Sequence, residues 1–130
     1  EIKSLLWVED TPKNSAIVIQ ALRDTGIKVK IVQTTEDALE ALNNDEYSLI
    51  VTDGSRREPL VGGQKNKKAG LNLISLVREN EIKTPVVMFS SHKSIKVEAF
   101  KLGAVAVTSS QNEILIMIIT NECREACKEK

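Results

Sequence analysis

Aromatic residues make up only 3% of this 130-residue chain. That is too few to stack along a single-stranded nucleic acid, so the core has to be aliphatic. Charge of one sign is not in excess either, since 18 Lys and Arg balance 18 Asp and Glu. No whole-surface field therefore draws in nucleic acid or an anionic membrane, and no direct contact with either is expected. Cysteine is limited to Cys123 and Cys127, and histidine to His92. Two thiols make no disulfide framework, and with one histidine they lack the remaining ligands of a zinc site, so they read as helix-face thiols in a reducing compartment. No stretch has the length of a membrane span or the layout of a signal peptide, and a cytoplasmic location is expected. The chain starts at Glu1 rather than Met, which reads as a trimmed start.

What is present is an alternation. Short apolar runs, SLLWV (Ser4–Val8), KVKIV (Lys28–Val32), YSLIVT (Tyr47–Thr52), PVVMF (Pro85–Phe89) and AVAVT (Ala104–Thr108), read as strands. Helical patterns separate them. Pro12 fits a first helical turn, Gly26 a helix end, and Ala16, Ile19, Leu22 and Arg23 keep a helical period between. TTEDALEALNN has a Thr cap and an acidic first turn. GLNLISLVREN turns Leu71, Ile74, Leu76 and Val77 inward, and SIKVEAFKLG is amphipathic with a stop at Gly103. NEILIMIITNECREACKEK is the last helix. Five β-α units with no repeat and no linker predict one domain over residues 1–130, a doubly wound α/β parallel sheet with helices on both faces.

In such sheets, ligands bind beyond the carboxyl ends of the strands. The first strand ends in Glu9 and Asp10, the third in Asp53, the fourth in Ser90 and Ser91. If the first and third strands are neighbours, three carboxylates meet in one crevice, which is costly unless a cation sits among them. Mg2+ answers that need with few protein ligands, and a carboxylate beside it can attack phosphorus. The plainer reading is that acids after strands cap helices or open turns. A flavin- or nucleotide-binding domain fits poorly. No glycine-rich phosphate loop follows the first strand, where EDTPKN would repel phosphates without a metal.

LLWVEDTPKN, TTEDALEAL, YSLIVTD, TPVVMFSS and AFKLGAVAV together resemble, over essentially the whole chain, the receiver domains of two-component response regulators. The resemblance implies a flavodoxin-like five-stranded sheet in order 2-1-3-4-5. It implies Asp53 as phosphoacceptor, with Ser90 hydrogen-bonding the phosphoryl group. Mg2+ would be held by Asp10, Asp53 and the carbonyl of Ser55, and by Glu9 mostly through water. It implies a histidine kinase or phosphotransfer protein as partner, and no enzymatic activity beyond phosphorylation and dephosphorylation of Asp53 itself.

Four features set the chain apart from that pattern or add to it. The family's lysine after the fifth strand falls on Ser110, and its switch aromatic on Val107, so neither is present. Residues 54–69 form a longer segment than usual before Gly70, with Arg56, Arg57, Lys65, Lys67 and Lys68 against Glu58. It reads either as a solvated insertion or as a source of the missing cation. His92 sits two past Ser90, either as ordinary surface or as a modulator of the phosphoryl group, and Ser110 is the other candidate modulator. Ile114 through Ile119 are all apolar, more than one buried stripe needs, so homodimerisation or docking through the last helices is expected. These departures leave an alternative open, a degenerate pseudo-receiver that serves as a phosphorylation-independent interaction module.

Overall fold

The computed structural model describes residues 2–57 and 65–120. Five parallel strands form the main sheet: β1 (Ser4–Val8), β2 (Lys28–Val32), β3 (Leu49–Asp53), β6 (Val86–Phe89) and β7 (Ala106–Thr108). A separate antiparallel pair, β4 (Arg56–Arg57) and β5 (Lys65–Asn66), lies within the long segment after β3. The main sheet runs β2-β1-β3-β6-β7, which is the expected order 2-1-3-4-5.

Strand periodicity explains the two-sided core. In β1, Leu6 and Val8 enter one cluster while Leu5 and Trp7 enter the other. The same division sends Ile50 one way and Val51 the other in β3, and Met88 and Val87 apart in β6. The first face is covered by Ala38 and Ala41 of α2 (Thr35–Asn44), by Leu71, Leu73, Ile74 and Val77 of α3 (Ala69–Glu79), and by Ile95 and Ala99 of α4 (Lys93–Lys101). The second face takes Val18, Ile19 and Leu22 of α1 (Ala16–Asp24) and Ile114 and Ile118 of α5 (Gln111–Thr120). Each fully buried Leu or Ile contributes roughly 1.5–3 kcal/mol, so both layers are needed to hold the central strands.

Helix boundaries derive from local chemistry. The Thr34 hydroxyl accepts from the Asp37 backbone N–H at 3.0 Å and caps α2. Pro12 opens a 3-10 turn, Pro12–Ser15, ahead of α1. That tighter turn has three residues per revolution. Within α1, Val18, Ile19 and Leu22 are buried, whereas Ala16 and Arg23 of the sequence period are exposed. In α3, Leu73 is fully buried and Leu76 only half-buried. The third strand also continues one residue further than its apolar run, so Asp53 is itself a strand residue. The part of the last helical pattern beyond Thr120, with Cys123 and Cys127, lies outside the described residues.

Two loops on the far side of the sheet are tied by one side chain. Arg78 donates through Nη1 to the carbonyls of Ile82 at 2.8 Å and Thr84 at 2.9 Å, and through Nη2 to that of Gly103 at 3.3 Å. Burial lowers its pKa, yet a guanidinium stays protonated throughout the folded range. Arg78→Ala is expected to cost about 2 kcal/mol, because carbonyls served by a charged donor lose it together. Arg78→Lys should recover only part, since an ammonium lacks the planar fork. Urea unfolding would show a lower midpoint at an unchanged slope.

Candidate functional site

The register brings four strand ends to one level. Val8 pairs with Thr52, Asp53 with Phe89, and Phe89 with Thr108. Residues just past those ends line an open cavity of about 560 Å3 that includes Glu9, Asp10, Asn14, Asp53, Ser55 and Ser90. His92, Ser109 and Gln111 complete the far rim. A roomier groove of about 720 Å3 lies at the opposite end of β1 and β2, flanked by Lys3, Lys28, Asp45 and Glu46. Mixed charges that neutralise one another, at the amino ends of strands, make it the weaker candidate.

Glu9, Asp10, Asp53, Ser55, Ser90 and His92 thus share one cavity. Their surroundings differ. Asp53 is 7% exposed and Asp10 half-buried, with the Thr11 hydroxyl donating to Asp10 Oδ1 at 3.2 Å. Neither aspartate is without a partner. Glu9 is 5% exposed, and its Oε1 accepts from Trp7 Nε1 at 3.0 Å and from the Ser15 hydroxyl at 2.7 Å. Ser90 Oγ accepts from the His92 backbone N–H at 3.2 Å, which leaves its own O–H to donate. The His92 side chain is exposed.

Ser110 stands elsewhere. Its hydroxyl accepts from the Asn112 backbone N–H at 3.2 Å and its carbonyl from the Glu113 N–H at 3.2 Å, so it opens α5. Ser109 is the residue from that loop that lines the cavity. The Thr108 hydroxyl donates to Glu113 Oε2. A Ser-x-x-Glu spacing before an apolar run was the signal for this cap. Among the described residues that line the cavity, none is Lys or Arg.

Can these groups hold a metal? Among the described residues, no three His, Cys, Asp or Glu side chains form a group that could hold an ion. Two aspartates, hydroxyls and backbone carbonyls nevertheless suit Mg2+, a hard cation that takes one or two carboxylates and keeps several waters. The same oxygen set suits zinc poorly.

Two glycines set the spacing. A Cβ on Gly70 would stand 2.2 Å from the Asp53 carbonyl oxygen and 2.8 Å from Met88 Cε. A Cβ on Gly54 would stand 2.9 Å from both Cβ and Oγ of Ser90. The Gly70 N–H donates to the Gly54 carbonyl at 3.1 Å, which closes the base of the long segment. Gly70 comes late in sequence yet lies against Asp53 in space. Gly54, Asn14 and Ser109 were not singled out by sequence. Only the glycine directly after the strand's aspartate carried a readable hint.

A family model for the response regulator receiver domain matches residues 5–119. The regulatory protein LuxO of Vibrio cholerae is 30% identical over 127 residues, which cover 95% of this chain and 26% of that protein. The nitrogen assimilation regulatory protein NtrX of Azorhizobium caulinodans is 27% identical over the same shares. The chain therefore spans about a quarter of the length of these curated relatives. In three dimensions it is similar to a CheY-like receiver domain protein of Methanospirillum hungatei, with TM-score 0.75, 19% identity and full coverage of both chains. It also matches NtrX of Brucella abortus, with TM-score 0.77 and 22% identity over 99% of this chain and 28% of that one.

The glycine contacts make a paired prediction. Gly70→Ala should cost about 3 kcal/mol, since the Asp53 carbonyl at 2.2 Å and the Gly54 Cα are backbone and must move, and Gly54→Ala about 1–2 kcal/mol, since its contacts on Ser90 are less close and need a smaller shift. Thermal unfolding of both variants beside the wild type measures the difference, and equal losses would contradict the close approach of α3 to Asp53.

Proposed function

This chain belongs to the response regulator receiver domain family of two-component systems, whose members interact with histidine kinases or phosphotransfer proteins, and from that premise we propose that Asp53 accepts a phosphoryl group with Mg2+ bound. The observation that carries the reading is the shared cavity of Asp53, Asp10 and Ser90 at the carboxyl ends of β1, β3 and β6. An oxygen of Asp53 attacks the phosphorus of a phosphohistidine or an acyl phosphate. The O–P bond forms as the donor's bond to phosphorus breaks, and the leaving group keeps the electron pair. Asp10, Asp53 and the Ser55 carbonyl would hold the cation. Bound Mg2+ supplies neutralisation of the charge that gathers on the phosphoryl oxygens. Ser90 donates its O–H to one of those oxygens and orients the group.

The last two helices are the expected output surface. Val97 and Phe100 of α4 and Ile116 and Ile119 of α5 are exposed, by 59%, 44%, 56% and 57%. Uncovered apolar groups of that size are characteristic of interaction faces, and this supports docking or self-association there.

One observation favours the second reading, a pseudo-receiver without phosphoryl chemistry. No described lining residue supplies the cation that the family draws from its lysine, and Ser110 is not among the lining residues. Intact-mass spectrometry separates the two. With acetyl phosphate and MgCl2 together, the wild type should gain one phosphoryl group, and Asp53→Asn none. Asp10→Asn should slow the gain about a hundredfold, and Ser90→Ala about tenfold, the equivalent of one hydrogen bond. A wild type that stays unmodified at saturating donor leaves the interaction module as the function.

A further inference from the structure

The family pattern treats both acids after the first strand as servants of the cation. The surroundings of Glu9 point to a different division of labour. Its Oε1 accepts two hydrogen bonds, from the Trp7 indole at 3.0 Å and from the Ser15 hydroxyl at 2.7 Å. Both lone pairs of that oxygen are thereby used. Trp7 is fully buried and Ser15 is 1% exposed, so all three groups lie inside the protein. The Glu9 backbone is pinned as well, its N–H donating to the Val32 carbonyl at 3.0 Å.

The bridge has a mechanical consequence. Ser15 ends the Pro12–Ser15 turn, and Trp7 belongs to β1. One carboxylate therefore ties the strand to the turn that carries the chain away from the cavity. Asp10 and Thr11 are caught between these two anchors. The Trp7 ring, in turn, packs on Phe89 of the cavity wall at 5.7 Å between centroids. Chain length matters here. The glutamate side chain reaches back two residues and forward six, and an aspartate is one methylene shorter.

We propose that Glu9 is a positioning residue, a buried strut whose Oε1 fixes where Asp10 points, with direct hold on the cation falling to Asp10 and Asp53. The cation in this proposal rests on the phosphoacceptor reading, whereas the strut rests on the hydrogen bonds of Glu9 alone. Charge and reach can be separated by two substitutions. Glu9→Gln keeps the length and an acceptor oxygen but removes the charge. Glu9→Asp keeps the charge but shortens the arm.

The test uses MgCl2 alone, titrated by calorimetry, together with the indole N–H resonance, which is single because the chain has one tryptophan. Glu9→Gln should leave the indole resonance near its wild-type position and weaken Mg2+ clearly less than Asp10→Asn does, because the lost charge acts only through space. Glu9→Asp should move the resonance and weaken Mg2+ about tenfold, as loss of an outer support does. Asp10→Asn should weaken Mg2+ at least as much with the resonance in place. The proposal is overturned if Glu9→Gln weakens Mg2+ as severely as Asp10→Asn, or if Glu9→Asp behaves as wild type in both readouts. If the wild type binds no Mg2+, the phosphoacceptor reading fails. The indole resonance then decides the strut by itself, and an unmoved signal in Glu9→Asp overturns it.

Discussion

A carboxylate that is 7% exposed, at the end of a strand buried along its whole length, is the constraint around which this molecule is organised. An ionised group taken out of water is expensive unless it gains partners, and Asp53 can occupy that place only where the sheet stops. Helices cover both faces of β1, β3 and β6, so those strands have no solvated face on which to carry chemistry. Polar function is forced to the carboxyl ends. The parallel register then fixes how many ends coincide. Val8 beside Thr52, and Asp53 beside Phe89, put three loops at one height. The cavity is the gap those loops leave.

Much of this was legible because it depends on periods that sequence displays. Fully apolar runs in YSLIVT and PVVMF mark central strands. An acid or hydroxyl straight after such a run has to sit at the sheet's rim, so Asp10, Asp53 and Ser90 could be brought together without coordinates. What stayed hidden depends on direction and distance. Sequence shows that residue 9 is acidic, but not that its extra methylene lets it fold back to Trp7 and forward to Ser15. It shows the lateness of Gly70, but not that Gly70 returns to within a missing methyl of the Asp53 carbonyl. The sequence period put Ala16 and Arg23 on the inner face of the first helix, where Val18 stands instead, because several apolar spacings fit one short helix equally well.

The end of β7 shows how one local interaction displaces another. The lysine of the family pattern would have to leave the loop at Ser110, yet here that residue's hydroxyl serves the Asn112 N–H and starts α5. Glu113, one turn in, accepts from Thr108 and adds a negative charge close to the strand end. A serine hydroxyl in place of an ammonium gives up a charge-assisted hydrogen bond, which is about twice as strong as a neutral one. Under the phosphoacceptor reading, more of the neutralisation falls on the divalent ion, and the site should depend on that ion more steeply than a lysine-bearing one.

The long segment after Asp53 shows why an insertion is tolerated beside such a demanding site. Its two ends meet in the Gly54 carbonyl and the Gly70 N–H, 3.1 Å apart, and β4 pairs with β5 just beyond. Chain that leaves and returns through a closed base exerts little pull on what lies beneath it. Lengthening such a loop costs only about 0.6 kcal/mol for each doubling. The geometry that matters to Asp53, the contact of Gly70 on its carbonyl and of Gly54 on Ser90, is set below that base. Insertion between those two glycines leaves the floor of the cavity alone, which is why Asp53 and Gly70 stay in contact although they are far apart in sequence.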